Sequence, residues 1–268
     1  MSECRRGRRN LMLLLLVDTA GPTGGVLLAR ANENNEGGDD STEPEIEILS
    51  AIDLHPRQFS AELIPAIAEL LSSSERRLTD VDAFAVVCGP GSFTGLRVGL
   101  SAVKAIAEAK GKPILTVSRL AILASMASKL TASEDADAAM HIVLDAGRAE
   151  FYHGVYRDAG KTRVKESFEA FDSLTENLDR QPGLIVVSDP AVKTAFHTVA
   201  RSRLCEVPLP SVADALPLAV EEWRARRFHD PVAVDANYLR RSDSVVVIRK
   251  KSEPMAHGAR VETEDPIS

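Results

Sequence analysis

The sequence predicts an α/β fold of two lobes, each built on a mixed sheet with crossover helices. Three features carry that expectation. Short apolar runs that read as strands alternate with amphipathic stretches of helical length, the pattern of strands joined through covering helices. Two strand pairs turn on an aspartate, "VDTAG" at Val17–Gly21 and "LDAGR" at Leu144–Arg148, so one arrangement occurs twice. The length of 268 residues suits one large domain or two smaller lobes sharing a sheet.

Residues 11–31 read as two strands, "LMLLLLVD" and "GGVLLARA", joined by a tight turn at Ala20–Gly25. The preceding basic segment gives "CRRGRRNLMLLLLVDTAG" a superficial likeness to a secretory signal. Its apolar run is short and ends at Asp18 before any small-x-small cleavage site, so a buried first strand is preferred. "NENNEGGDDSTEPE", residues 32–45, is acidic and polar and reads as a flexible loop. "IEILSAID" completes an antiparallel set. In "SAELIPAIAELLSSS" the residues Leu63, Ile64, Ile67, Leu70 and Leu71 recur at helical spacing, with Ser60 as the N-cap. "DAFAVVCG" reads as a central strand, followed by a glycine-rich turn and a helix from about Thr94 to Lys110 that stops at Gly111. "PILTVS" is a further strand.

From Arg119 the pattern repeats. "RLAILASMASKL" is an amphipathic helix, and "AMHIVLDAGRAEFYHGVYRD" reads as two strands about a turn at Ala146–Arg148. "GLIVVSDP" is a buried strand, "AVKTAFHTVARSRL" a helix, and "VADALPLAVEEWRARRF" the last strong helix. The lobes are expected over 11–118 and 119–240, with disordered tails at 1–10 and 252–268. The duplication is the internal echo expected of an actin/Hsp70-like (ASKHA) fold; spacing alone leaves other α/β arrangements open.

Composition narrows the function. A net charge of −7 gives the chain as a whole no attraction for a nucleic-acid backbone, and the basic runs at Arg5–Arg9, Arg224–Arg227 and Arg249–Lys251 read as solvated tails and faces. Three widely spaced cysteines suit a reducing cytoplasm, and neither they nor the six scattered histidines have metal-ligand spacing. No cofactor or metal is expected, and no segment is long enough to span a bilayer.

The stretch "VVCGPGSFTGLRVGLSAVKAIAEAKG" holds glycines like a phosphate loop. A Walker A loop needs lysine and a hydroxyl after its last glycine; here Leu96 follows Gly95, and Ser92 and Thr94 come before it. The dinucleotide pattern also fails. The spacing has another use, because Gly95, Gly99 and Ala102 share nearly one helical face with Val103 and Ile106 beside them. Together with Leu63, Ile64, Ile67 and Leu71 on the preceding helix they form either a two-sided core or a patch on which another protein docks. Other candidates are weaker. Ser92 as nucleophile lacks the G-x-S-x-G setting, Cys88 reads as a buried small hydrophobe, and Asp145 with Glu150 reads as a pair of hairpin residues. Arg97 either pairs with a carboxylate across an interface or caps its own fold.

"GPGSFTGLRVG", the eleven residues Gly89–Gly99, resembles the hallmark of the bacterial TsaB (YeaZ) family, with Gly89, Pro90, Gly91, Ser92, Phe93 and Thr94 all in place. "VDTA", "ELIPAIAELL", "VLDAGRAEFYHGVY" and "ANYLR" extend the likeness over roughly Leu11 to Arg240. The chain departs from the pattern at Phe59, usually His; at Gly147, where an arginine is usual and Arg148 follows; and at Asn237, usually proline. The resemblance implies an ASKHA fold that no longer acts as an ATPase, with Asp18 a vestige of a magnesium-organising carboxylate. It implies a non-catalytic subunit in formation of N6-threonylcarbamoyladenosine beside the anticodon of tRNAs that read codons beginning with A. The implied partner is a TsaD-like catalytic relative, met through the first-lobe helices. A TsaE-like ATPase joins the pair and tRNA is reached indirectly, while the apolar helix pair, if it is an exposed patch, separately predicts self-association of the lone chain. An independent actin-like ATPase or small-molecule kinase is the competing reading.

Overall fold

The computed structural model describes residues 11–32, 46–131, 138–158, 160–197, 204–237 and 239. The tails expected to be disordered and all but Asn32 of the acidic loop lie outside the described residues.

Leu11–Asp18 (β1) is apolar at every position up to its terminal aspartate, and Met12 and Leu14–Val17 are fully buried. A strand without alternation must be covered on both faces and paired on both edges. β1 is both. It pairs antiparallel with Gly24–Asn32 (β2) and parallel with Ala83–Gly89 (β4), while Ile46–Leu54 (β3) lies outside β2 and Ile114–Ser118 (β5) outside β4. The order of this five-stranded sheet is β3-β2-β1-β4-β5. Edge strand β3 is exposed or half-buried up to Leu54 and carries Glu47 opposite Arg30, in keeping with one wet edge.

Phe59–Ser73 (α1) and Phe93–Lys110 (α2) cover one face of this sheet and touch each other. Successive strand residues point to opposite faces, and the pair Gly24–Gly25 shows which helices lie where. A Cβ on Gly24 would meet the Phe59 ring of α1, and one on Gly25 would meet Val212. The far face is accordingly covered by Arg119–Leu130 (α3), by the 3₁₀ turn at Val212–Ala215, and by Leu216–Arg224 (α6); Val234 and Ala236 join the same core.

The second sheet repeats the plan. Ala139–Gly147 (β6), Glu150–Arg157 (β7) and Thr162–Ala170 (β8) form the antiparallel part, and Gly183–Val187 (β9) and Leu204–Glu206 (β10) add parallel strands, in the order β10-β9-β6-β7-β8. Phe171–Arg180 (α4) and Pro190–Phe196 (α5) pack on it. Two sheets of one topology, each a three-strand meander extended by two parallel strands, make this a duplicated ASKHA-type α/β fold.

Several expectations change. α1 starts at Phe59 and not after a Ser60 cap, with Gln58 at the cap position making no side-chain bond, because the Phe59 ring is held against Gly24. The helix expected through Leu204 ends within the described residues at Phe196, and Leu204 lies in β10, paired with Ile185. The last helix is two pieces, a 3₁₀ turn and the nine residues of α6. The second hairpin turns on Arg148 and Ala149, both at left-handed φ near 60°, after Gly147 at φ 78°. β8 and α4 had no counterpart in the sequence reading. β8 is an edge strand rich in charge, and α4 buries only Leu174 and Leu178.

The lobes are tied through Glu166 of β8. Its Oε1 accepts hydrogen bonds from Ser118 Oγ (2.5 Å) and Tyr156 OH (2.6 Å), and its Oε2 accepts one from Asn237 Nδ2 (2.7 Å). Asn237 N donates in turn to the Cys88 carbonyl at the end of β4 (2.8 Å). A proline at 237 could make neither bond. None of the described helices is long and apolar enough to cross a membrane.

Candidate functional site

At the carboxyl end of β1 the turn Thr19–Ala20 packs closely against the start of α2. Asp18 is buried, its Oδ1 accepts the Ala20 N–H at 2.8 Å, and burial raises its pKa against the opposing pull of that bond and of the Arg119 charge. Ser92 N donates to the Ala20 carbonyl (2.8 Å), and Ser92 Oγ caps α2 by accepting the Gly95 N–H (3.2 Å). Thr19 Oγ1 donates to the Gly95 carbonyl at 2.7 Å.

This geometry corrects the reading of the glycine spacing. A Cβ on Gly91 would fall on the Ala20 carbonyl oxygen, one on Gly95 on the Thr19 carbonyl oxygen, and one on Gly99 on the Thr19 hydroxyl. The row spaced four apart clears a groove for the chain's own Thr19–Ala20 turn. It is not a groove for a foreign helix. The docking patch expected from sequence therefore splits. Leu63, Ile67, Leu71 and Val103 face the core, at 6% exposure or less. Ile64 is 54% exposed, Arg97 is exposed with its guanidinium 3.7 Å from the centre of the Phe93 ring, and Ala102 and Ile106 are half-buried. The outer surface of the two helices is made by Ala61, Ile64, Pro65 and Ala68 of α1 and by Arg97, Ser101 and Ala105 of α2. Charged residues are exposed on the same helices too, Arg97 among them, with Glu69 on α1 and Glu108 and Lys110 toward the end of α2.

The other candidates resolve as follows. Gly89–Pro90 is a cis peptide, and Gly89 has φ 109°. Burial pushes the Cys88 thiol up to about 11, with the Glu166 charge adding to it, so at neutral pH it is an inert thiol. Asp145 Oδ1 accepts the Gly147 N–H (2.9 Å), which makes it a hairpin-capping residue. Among the described residues no His/Cys/Asp/Glu group is arranged to hold a metal ion.

A cleft of about 950 Å³ opens between the turn after β1, the starts of α1, α2 and α3, and the β6–β7 hairpin. Gly21, Ser60, Thr94, Arg119, Asp145 and Tyr152 are among the residues around it. Arg119 and Tyr152 were not singled out in the sequence reading. The available signal was a charged residue between strand β5 and the apolar run of α3, in "TVSRLAIL". The sequence reading also missed a buried chain in the second lobe: His141 Nδ1 meets His153 Nε2 at 3.0 Å, and His153 Nδ1 meets Glu169 Oε1 at 3.3 Å.

Two sheets of one topology facing each other across a cleft, with an aspartate at the end of each first strand, define the class: a duplicated two-lobed ASKHA-type protein. The comparisons agree. The family model "TsaD: tRNA N6-adenosine threonylcarbamoyltransferase" matches residues 49–214. A Mycobacterium leprae protein, uncharacterized protein ML0378, is 32% identical over 73% of this chain, which spans about half (48%) of that relative's length. The Haemophilus influenzae tRNA threonylcarbamoyladenosine biosynthesis protein TsaB is 28% identical over 70% of this chain and 82% of its own. A crystal structure from Pseudomonas aeruginosa, of an uncharacterized protein with similarity to peptidase YeaZ, superposes with a TM-score of 0.63 at 27% identity, covering 85% of this chain and 100% of the other. The chain belongs to the family that the model defines, and within it to the TsaB (YeaZ) family.

Proposed function

We propose that this chain is a non-catalytic subunit in formation of N6-threonylcarbamoyladenosine in tRNA, and that it acts by pairing with a TsaD-like catalytic relative of the same fold. The supporting observation is the outer face of α1 and α2. Ile64 and the Arg97–Phe93 stack stand exposed beside the small residues Ala61, Ala68, Ser101 and Ala105, with Glu69, Glu108 and Lys110 also exposed on these helices, whose inner faces are already filled by the sheet. Small side chains on two adjacent helices let a second helix pair approach closely, and the exposed aliphatic and aromatic groups supply the apolar centre of an interface. A specific contact of this kind buries on the order of 1,600 Å² in total. A TsaE-like ATPase joins the pair and tRNA is contacted through the complex. Alone, the chain covers the same face by twofold self-association, since an isologous contact uses one patch twice. Its compartment is the cytoplasm.

The test is co-purification of the chain with the TsaD-like protein of the same organism, followed by a threonylcarbamoyl-transfer assay on tRNA. Ile64→Glu and Ala105→Glu, both on the exposed face, are expected to lose the partner and the transfer activity while their unfolding temperatures stay near that of the wild type. Retained pairing in both variants would move the interface elsewhere. Full transfer activity without this chain would end the subunit reading.

A further inference from the structure

We infer that Glu166 is a hinge clamp: one carboxylate bonds the chain at two of the places where it passes between the lobes, and so holds the lobes at a fixed angle. The inference does not depend on how the chain pairs with a partner.

Among the described residues the chain passes from one hydrophobic core to the other three times. Val117 lies in the first core and Leu120 in the second, Val207 in the second and Val212 in the first, and Ala236 lies in the first while Leu239 packs against the second. The middle passage, residues 208–211, contains Pro208 and Pro210, whose rings fix their φ angles, and the Pro210 carbonyl accepts the Thr23 hydroxyl (2.9 Å). The other two passages have no proline. They have Ser118 and Asn237 instead, and both donate to Glu166, one to each carboxylate oxygen. Tyr156 of β7 also donates to Oε1, which fixes the carboxylate within the second lobe.

Both donors are placed to join the lobes. Ser118 stands at the N-cap position of α3, yet its side chain makes no cap bond and donates to Glu166. Asn237 is bonded to the first lobe by its backbone N–H, at the Cys88 carbonyl, and to the second by its side chain. The Glu166 side chain is 5% exposed, and its ion pair is a long one, with Arg163 Nη1 3.8 Å from Oε2 and that arginine 62% exposed. The three short hydrogen bonds are therefore what compensate its burial. Apolar contact alone leaves the angle loose. α3 lies between the sheets, but Leu120, Leu123, Ala124 and Ala127 belong to the second core and only Ile122 to the first, with Met126 touching both. Hydrophobic contact is non-directional and permits sliding, whereas hydrogen bonds fix direction.

The test measures backbone ¹⁵N–¹H residual dipolar couplings on the full chain. They are fitted to the described parts of residues 11–118 with 212–236, to those of 119–207, and to both sets together. In the wild type one alignment tensor is expected to fit both sets. Glu166→Ala is expected to leave each set's own fit intact, to lose the common tensor, and to speed exchange of the Asn237 amide about tenfold. A defect confined to folding would degrade the separate fits as well. Glu166→Gln still accepts from Ser118 and Tyr156 and can donate to Asn237 Oδ1, so it is expected to restore the common tensor. A common tensor retained in Glu166→Ala, two tensors in the wild type, or two in Glu166→Gln overturns the clamp. Should Glu166→Ala fail to fold, Asn237→Ala, which unties one passage, decides by the same fits: separate tensors support the clamp and a common one overturns it.

Discussion

The two lobes share a strand order but not a core. In the first sheet β1 and β4 are apolar along nearly their whole length, and the polar groups that are buried, Asp18 and Thr19, sit at the strand end. In the second sheet β6 and β7, the equivalents of β1 and β2, carry His141 and His153, stacked with ring centres 5.2 Å apart, and Glu169 closes the chain from β8. The aspartates that end the paired strands differ likewise, Asp18 being buried and Asp145 exposed. The first lobe is therefore held by close packing and the second in part by a hydrogen-bonded polar chain. One topology tolerates both because backbone pairing sets strand order, and side chains need only fill the layer or satisfy one another.

The most severe way to break this comparison is at the glycine row. Gly99→Leu puts a branched side chain onto Thr19, and about 4 kcal/mol or more of stability is expected to go, read as a fall in unfolding temperature. The glycines would then be confirmed as interior packing, and a near-normal unfolding temperature would return them to the surface. Next is the polar chain. Glu169→Ala leaves His153, Ser167 and Asn177 without their shared acceptor and is expected to cost about 2 kcal/mol by denaturant unfolding.

The same chain makes the second lobe the acid-sensitive one. Burial lowers the His141 pKa to about 4 with the neighbouring His153 adding to the shift, and burial lowers that of His153 despite its bond to Glu169. A histidine whose folded pKa lies below its unfolded value favours the fold in its neutral form. That stability is present above about pH 6.5 and is lost as pH falls from there toward 4. Asp18 works oppositely, since its raised pKa favours the fold in the protonated form as pH falls. His141→Leu is expected to flatten the stability profile between pH 6.5 and 4, and an unchanged profile would place the titrating group elsewhere. The smallest effects come from the two helix caps that occupy matching places in the lobes. Ser92→Ala and Asp189→Ala each remove a side-chain acceptor, for Gly95 N and Ala191 N, and are each expected to cost about 1 kcal/mol.

Much of the first lobe was legible because its strands are uniformly apolar and its helices long, signals that survive without tertiary context. β8 and α4 were not legible. A charged edge strand does not alternate, and a ten-residue helix with two buried leucines shows too little of its period. For the site, "GPGSFTGLRVG" carried the family resemblance, while Arg119 went unseen because a single arginine beside an apolar helix has no pattern.

By itself the sequence determined the duplicated α/β plan, the central strands and the family, since local periodicity and a contiguous motif record them. The tertiary structure alone decided which way each helix faces. Gly95 and Gly99 have the same spacing whether they meet a partner or their own Thr19, and only the packing of β1 beneath α2 distinguishes the two. It also decided that Arg119, buried beside Asp18, keeps an unfilled donor at the cleft, because that depends on residues about a hundred positions apart in the chain coming together.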